Sequence, residues 1–278
     1  MIVDSEIGKT KKIHLNYGDD QWQYGELRIP EGPGPHPVVV VIHGGFWKSI
    51  FAADLMDAVA EDLSKRGLAT WNIEYRRVGN SGGAYPGTLK DVANATDFLE
   101  TIAEQYCLDL SKVVAMGHSA GGQLAFWLAG RYRLQEDSIL KTSSAPLLLK
   151  GVISLGGIID LELMNNLINY KQKIVKNMKI DNPVTDYVGG TPIEVPERYV
   201  EVSPVQLLPL KVPQVLIHGD LDVNVPVKLS ALYKELAEKA GDQVKMITLP
   251  NVEHFEIIDP DSKVWDGIVN EVRNLLKD

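Results

Sequence analysis

Six short apolar runs, most of them rich in β-branched residues, recur along the chain and limit what it can fold into. Each run is continuous rather than alternating in polarity, which favours strands that are covered on both faces. Such strands are typical of a parallel sheet. The runs cover residues 38–42, 69–73, 113–116, 152–155, 215–217 and 244–249.

Segments with the spacing of an amphipathic helix lie between these runs. They cover residues 54–66, 88–106, 228–240 and 261–276. Gly67 stands where the first of them would end, and Thr88 with Asp91 forms a predicted capping pair for the second. Because strands that alternate with helices pair in parallel through right-handed crossovers, we predict an α/β fold. It has a mostly parallel central sheet with helices on both faces.

Two segments depart from this alternation of strands and helices. About the first 35 residues alternate in polarity on either side of Gly18-Asp19-Asp20, which predicts an antiparallel hairpin that leads into the sheet. Residues 158–202 hold no clear strand, although 161–179 favours a helix. A long insertion in a compact domain is usually a lid or a binding loop. We therefore predict one domain over residues 1–278, with a small cap inserted at 158–202.

The composition excludes several kinds of partner. The 278 residues are 45% hydrophobic and carry a formal net charge of -9, without any basic block. We therefore expect neither a nucleic acid nor an anionic membrane surface as a partner. A single cysteine, Cys107, cannot form an intrachain disulfide. No apolar run approaches the roughly 18 residues of a membrane span, and MIVDSEIGKTKK lacks the apolar core of a signal peptide, so we expect a cytoplasmic protein.

The segment VVAMGHSAGGQL at 113–124 places one hydroxyl on a tight corner. The apolar run stops at Gly117, Ser119 follows between small residues, and helix-compatible residues come next. A strand that turns sharply into a helix strains the residue at the corner and requires small neighbours, so the pattern G-x-S-x-G lifts the serine oxygen clear of the sheet. We predict that Ser119 is a nucleophile; the alternative is a glycine-rich turn with an idle serine.

A serine hydroxyl needs a base before it can act as a nucleophile. His254 lies in the loop between the last predicted strand and the last predicted helix, from which it can reach over Ser119. We predict that it is the base; the alternative is a solvated loop residue. The other histidines lie on the hairpin, in a proline-rich loop, at strand ends or beside the serine: His14, His36, His43, His218 and His118.

A carboxylate should hold the imidazole and lie between the serine and the histidine in the chain. Asp220 and Asp222 both follow the strand predicted at 215–217. Asp222 lies further into the loop, where its side chain can reach His254. Asp220, close to the strand end, is suited to hydrogen-bonding the turn. We therefore favour Asp222.

Backbone N–H groups should hold the oxyanion of the transition state. The sequence HGGFW at 43–47 follows a predicted strand, and its glycines allow close approach of a ligand. We expect donors from Gly45 or Phe46 together with Ala120. Phe46 and Trp47 could also line a pocket for the substrate, although packing of Trp47 against a helix is equally compatible with the sequence.

HGGFW, GHSAGG at 117–122 and HGDLDVNVP at 218–226, followed by EHF at 253–255, together resemble the α/β-hydrolase superfamily. The likeness is strongest to its esterase, acylaminoacyl-peptidase-like and kynurenine-formamidase-like branches. It implies a triad and an oxyanion hole, no metal and no cofactor. Phe46 stands where hormone-sensitive-lipase-like esterases have a third glycine; this favours the formamidase-like branch and leaves the second oxyanion donor open. The implied residues are Ser119, Asp222 and His254 for the triad and Gly45, Phe46 and Ala120 for the oxyanion hole.

This predicted site fits three functions. The first is a serine hydrolase that cleaves small acyl or aromatic carboxylic esters through an acyl-enzyme. The second is an arylformamidase or an acylaminoacyl-peptidase-like amidase. The third is a non-catalytic binding protein, because fold alone does not establish function. The expected partner is a small-molecule ester or amide, and the sequence leaves the oligomeric state open.

Overall fold

The structure, a computed structural model, describes residues 10–175 and 181–277. Its strands form one sheet in the order β1-β2-β4-β3-β5-β6-β7-β8, with the following bounds: β1 (Lys11–Asn16), β2 (Tyr24–Ile29), β3 (His36–Ile42), β4 (Ala69–Ile73), β5 (Leu108–His118), β6 (Gly151–Leu155), β7 (Gln214–Gly219) and β8 (Val244–Leu249). The pairs β1–β2 and β2–β4 are antiparallel, and the other neighbouring pairs are parallel. This is the predicted parallel sheet with its N-terminal hairpin.

Helices cover both faces of the sheet. They are α1 (Asp57–Lys65), α2 (Gly87–Asp97), α3 (Leu99–Ile102), α4 (Ala120–Gly130), α5 (Leu161–Ile174), α6 (Pro183–Val188), α7 (Pro196–Val202), α8 (Lys228–Lys239) and α9 (Trp265–Leu276). Apolar side chains of α1 and α9 pack on one face, and those of α2, α4 and α8 pack on the other. None of the helices in the described ranges is both long and apolar enough to cross a membrane.

The strand β3 shows why the apolar runs are continuous. Val38, Val40 and Ile42 belong to the core on one face, whereas Val39 and Val41 belong to the core on the other, and all five are fully buried. Successive side chains of a strand point to opposite faces, so a strand covered on both sides needs apolar residues at every position.

The predicted capping pair at the start of α2 was wrong. No side-chain cap is present there; Thr88 Oγ1 donates to the carbonyl of Arg76, and the buried Asp91 accepts two hydrogen bonds from the Arg76 side chain and one from Gln23. Both side chains therefore fasten α2 to the chain that follows β4. At the end of α1, Gly67 has a φ of 93°, as expected for a helix-ending glycine.

The insertion at 158–202 holds α5, α6 and α7 in its described part. Residues 176–179 of the helix predicted at 161–179 lie outside the described residues. The insertion is fastened to α4, because Gln123 Nε2 donates to the carbonyl of Val202 (2.9 Å) and Trp127 Nε1 donates to that of Glu201 (3.0 Å). It therefore packs over the helix that begins directly after Ser119.

Candidate active site

Ser119 lies on the corner between β5 and α4. Its backbone is strained, with φ 54° and ψ −117°. The flanking glycines have no room for a side chain: a Cβ at Gly117 would lie 2.0 Å from the carbonyl oxygen of Gly121, and one at Gly121 would lie 2.1 Å from that of Ile42. The G-x-S-x-G pattern is therefore a steric requirement of this turn.

His254 and Asp222 form a hydrogen-bonded pair at the carboxyl end of the sheet. His254 Nδ1 lies 2.5 Å from Asp222 Oδ2, and both side chains are buried. Because the carboxylate accepts, Nδ1 carries the proton, and Nε2 of the neutral ring is then free to accept another. Asp222 comes from the loop after β7 and His254 from the loop after β8.

Asp222 is itself held in place by its surroundings. Its Oδ1 accepts from the backbone N–H groups of Asn224 (2.9 Å) and Val225 (2.8 Å). His218 Nε2, which donates to the carbonyl of Val225 (2.8 Å), also lies 3.2 Å from Asp222 Oδ2. Burial alone would raise the pKa of Asp222, but the hydrogen bonds from His218 and His254 outweigh it and hold the pKa well below the usual range. The carboxylate thus stays ionised in mildly acidic solution.

The side chain of Asp220, the other candidate carboxylate, bonds to the loop after β8. Its Oδ1 accepts from the backbone N–H of Asn251 at 2.7 Å and so fastens the two loops that carry Asp222 and His254. Its partner is a backbone N–H, as predicted, but this N–H belongs to the loop after β8 rather than to the turn that follows β7.

Two contacts bring the His254 loop against the Ser119 corner. His118, the residue before the serine, places Nε2 3.0 Å from the carbonyl oxygen of His254, and the centroids of the two rings are 4.5 Å apart. Gly156, just after β6, leaves room for the pair: a Cβ there would lie 3.1 Å from Asp222 Oδ2 and 3.3 Å from His254 Nδ1.

The loop after β3 also approaches the serine. A Cβ on Gly44 would lie 2.7 Å from the carbonyl oxygen of His118 and 3.0 Å from Ser119 Cβ. Gly45, Phe46 and Trp47 all have positive φ, of 104°, 51° and 55°. Strain at two non-glycine residues in succession is typical of a functional loop. Across from it, Ala120 begins α4, where the first N–H groups of a helix favour negative charge.

A buried polar cluster holds this loop from behind, and the sequence did not point to it. Glu74 is fully buried and accepts from His43 Nε2 (3.1 Å) and from the backbone N–H groups of Ala53 (3.0 Å) and Tyr75 (2.8 Å). Arg77 Nη1 lies 3.3 Å from its Oε2 as an ion pair. Burial would raise the pKa of Glu74, but His43 and Arg77 lower it below its ordinary value. The carboxylate therefore anchors both ends of the segment from 43 to 53.

Phe46 and Trp47 have different surroundings. Trp47 is fully buried; its Nε1 donates to Gln123 Oε1 (3.0 Å), and its ring stacks on Tyr187 with centroids 4.4 Å apart. Of the two readings of Trp47, these contacts favour packing over a place in a substrate pocket. Phe46, by contrast, lines an open cleft.

This cleft, of about 470 Å³, lies between the 43–51 loop, α5 and the loop after β7. Met164 and Ile168 of α5 form part of its apolar wall. Ile50 and Val223, also in its lining, are 79% and 80% exposed. Its volume falls in the range of about 300–1,000 Å³ that small-molecule sites occupy.

Replacing Gly44 by alanine tests how closely this loop must approach the serine. The added Cβ has no room beside His118 and Ser119, so we expect the loop to shift and kcat of a reaction that uses Ser119 as nucleophile to fall roughly 100-fold. Gly267→Ala in α9 is the matched control, because nothing lies within 4 Å of a Cβ there. Steady-state kinetics and thermal melts of both variants give the answer; unchanged kcat in Gly44→Ala would contradict the close packing.

Comparisons with known proteins agree with this architecture. The BD-FAE family profile matches residues 27–236. A carbohydrate esterase from gut microbiota, 20% identical, superposes with a TM-score of 0.80 over 96% of each chain. Esterase Est2 of Thermogutta terrifontis, 19% identical, gives a TM-score of 0.72 over 95% of this chain and 93% of its own. At these identities the structures establish the α/β-hydrolase fold.

Among curated proteins, esterase EstD of Thermotoga maritima is 26% identical over 272 residues, which cover 92% of this chain and 62% of EstD. Kynurenine formamidase avaC of Aspergillus versicolor is 31% identical over 154 residues, which cover 49% of this chain and 50% of that protein. The chain thus spans about half to three fifths of the length of such relatives. Because the family profile covers most of it, this chain belongs to the BD-FAE family of the α/β-hydrolase superfamily.

Proposed function

We propose that this protein is a carboxylic ester hydrolase in which Ser119, His254 and Asp222 form the catalytic triad. One observation carries the proposal: a hydrogen-bonded and buried His254–Asp222 pair lies against a strained serine corner. The similarity to EstD, an esterase by name, supports the same reaction.

In this reaction Ser119 Oγ attacks the ester carbonyl carbon while His254 Nε2 takes the hydroxyl proton. The tetrahedral oxyanion is held by the N–H of Ala120 and one from Gly45 or Phe46. His254 then gives the proton to the departing alcohol, and an acyl-enzyme remains. Water attacks the acyl-enzyme with His254 again as base, the acid leaves, and the serine is restored. Asp222 stabilises the imidazolium in both steps.

Labelling with a fluorophosphonate probe tests the proposal. We expect the wild-type protein to react and to hydrolyse p-nitrophenyl acetate, and Ser119→Ala to do neither. A wild-type protein that neither reacts with the probe nor hydrolyses the ester would favour a non-catalytic binding protein on this fold.

An arylformamidase is the second candidate. It is supported by HGGFW and by the similarity to a kynurenine formamidase over half of the chain. Burial of Trp47 leaves Phe46 as the aromatic residue of this motif that can meet an aryl substrate. Rates on p-nitrophenyl acetate, p-nitrophenyl octanoate and N-formylkynurenine separate the two: a much larger kcat/KM on the last would favour the formamidase, and efficient hydrolysis of the octanoate would favour the esterase.

We further propose that the insertion at 158–202 acts as a small cap whose helix α5 forms one wall of the acyl site. Ile168→Trp should then fill part of the cleft. We expect it to lower kcat/KM on the octanoate about 10-fold more than on the acetate, since only the longer chain needs that volume.

Ile174→Trp is the matched control, because Ile174 lies on the same helix but is largely exposed and outside the cleft lining. A thermal melt of each variant monitors overpacking. An equal loss on both esters in Ile168→Trp would contradict a role for α5 in the acyl site.

A further inference from the structure

His118 occupies an unusual place beside the proposed triad. It ends β5 directly before Ser119, yet its side chain is fully buried and faces the loop of His254 rather than the cleft. Its ring centroid lies 4.5 Å from that of His254 and 5.5 Å from that of Phe255. The x position of G-x-S-x-G thus contacts the base of the same site.

The hydrogen bond that His118 makes has a definite direction. A carbonyl oxygen can only accept, so His118 Nε2 carries a proton and donates it to the main-chain oxygen of His254 at 3.0 Å. Within residues 10–175 and 181–277, Nδ1 has no hydrogen-bond partner. The hydrogen bond of this buried ring is therefore made to the backbone of residue 254.

The ring is also uncharged. Burial lowers the pKa of His118 to about 3, with a further lowering from His254 and His218; the hydrogen bond to the His254 carbonyl and the charge of Asp222 oppose this. A neutral donor matters here, because His254 becomes positively charged during each turnover. A second cation at 4.5 Å would oppose that charge.

We propose that His118 is a positioning residue that fixes the backbone of the His254 loop, and thereby aims the imidazole of His254 at Ser119, through a neutral Nε2–H donor. It touches neither substrate nor a reacting atom. The expected effect of His118 on kcat rests on the proposed function. Its expected effect on the position of the His254 loop does not.

Two substitutions distinguish a role of the Nε2–H donor of His118 from a role of its aromatic ring. His118→Phe keeps a ring but removes the donor, and we expect kcat to fall roughly 10- to 100-fold with KM within about threefold, as for a misplaced base. His118→Gln offers an amide N–H at a similar reach, and we expect it to recover kcat to within about fivefold of the wild type. His14→Phe is the matched control on the exposed edge strand β1 and should leave kcat unchanged.

A second readout does not depend on turnover. The proton between His254 Nδ1 and Asp222 Oδ2, which are 2.5 Å apart, should give a strongly downfield proton NMR signal. We expect it in the wild type and in His118→Gln, and expect it to be lost or shifted in His118→Phe. Thermal melts confirm that each variant is folded.

Wild-type kcat or an unchanged downfield signal in folded His118→Phe would overturn the proposal. So would an equal kcat loss in His118→Gln and His118→Phe, since an N–H donor at this place would then fail to restore the position of the loop. Failure of the hydrolase assignment is distinguishable, because wild type and Ser119→Ala would then give equal rates on esters while the NMR comparison still reports on the loop.

Discussion

Replacing Ser119 by alanine is expected to lower kcat for p-nitrophenyl acetate by at least about 10⁴-fold, because the reaction loses the oxygen that forms the acyl-enzyme. Alanine keeps the Cβ of serine and therefore fits a corner flanked by Gly117 and Gly121. We therefore expect the melting temperature to change little.

Ser111→Ala is the matched control for this variant. Ser111 is exposed on β5, and its hydroxyl donates to Asp109 Oδ1. Steady-state kinetics and fluorophosphonate labelling of both variants check the expectation. Hydrolysis by Ser119→Ala at a rate comparable to the wild type would show that another residue is the nucleophile.

Asp222→Asn has the second-largest expected effect, a loss of roughly 10⁴-fold in kcat with little change in KM. The amide group of asparagine would face His254 Nδ1 with a donor where the carboxylate accepts at 2.5 Å. The imidazole would then keep its proton on Nε2 and could not accept the proton of Ser119.

Asp220→Asn provides the matched comparison, since its oxygen can still accept from Asn251 and no catalytic bond is lost. We expect its kcat to stay within about threefold of the wild type. A larger loss of kcat in Asp220→Asn than in Asp222→Asn, measured under the same conditions, would reverse the assignment of the carboxylate.

The carboxylate of Asp222 should also make the stability of the fold depend on pH. The pKa of Asp222 is held below its ordinary value in the folded protein, so its ionised form stabilises the fold above the unfolded pKa of about 3.9. This contribution disappears as the pH falls through the folded pKa. Urea unfolding should therefore separate wild type from Asp222→Asn at pH 7 and separate them less at pH 3.

The features that could be predicted from the sequence are those governed by neighbours in the chain. The continuous apolar run of β3 reflects cover on both faces, and the glycines around Ser119 reflect a turn with no room for a Cβ. The order of the candidate serine, carboxylate and histidine along the chain follows from the order of the strands in the sheet.

What could not be predicted depends on partners that are distant in sequence. Asp91 suggests a local cap, but it bonds to Gln23, 68 positions away. Trp47 donates a hydrogen bond to Gln123, 76 positions away, and His118 donates one to the carbonyl of His254, 136 positions away. These contacts form only when the folded sheet brings distant segments together, so no local pattern in the sequence could reveal them.

We propose that Ser119, His254 and Asp222 meet at the carboxyl edge of one sheet, and a structure of the phosphonate adduct tests this most directly. We predict phosphorus bonded to Ser119 Oγ and the phosphoryl oxygen about 3 Å from the N–H of Ala120. We also predict His254 Nε2 within about 2.6–3.2 Å of an adduct oxygen. An adduct on another side chain, or an imidazole of His254 more than about 5 Å from that phosphorus centre, would contradict the account.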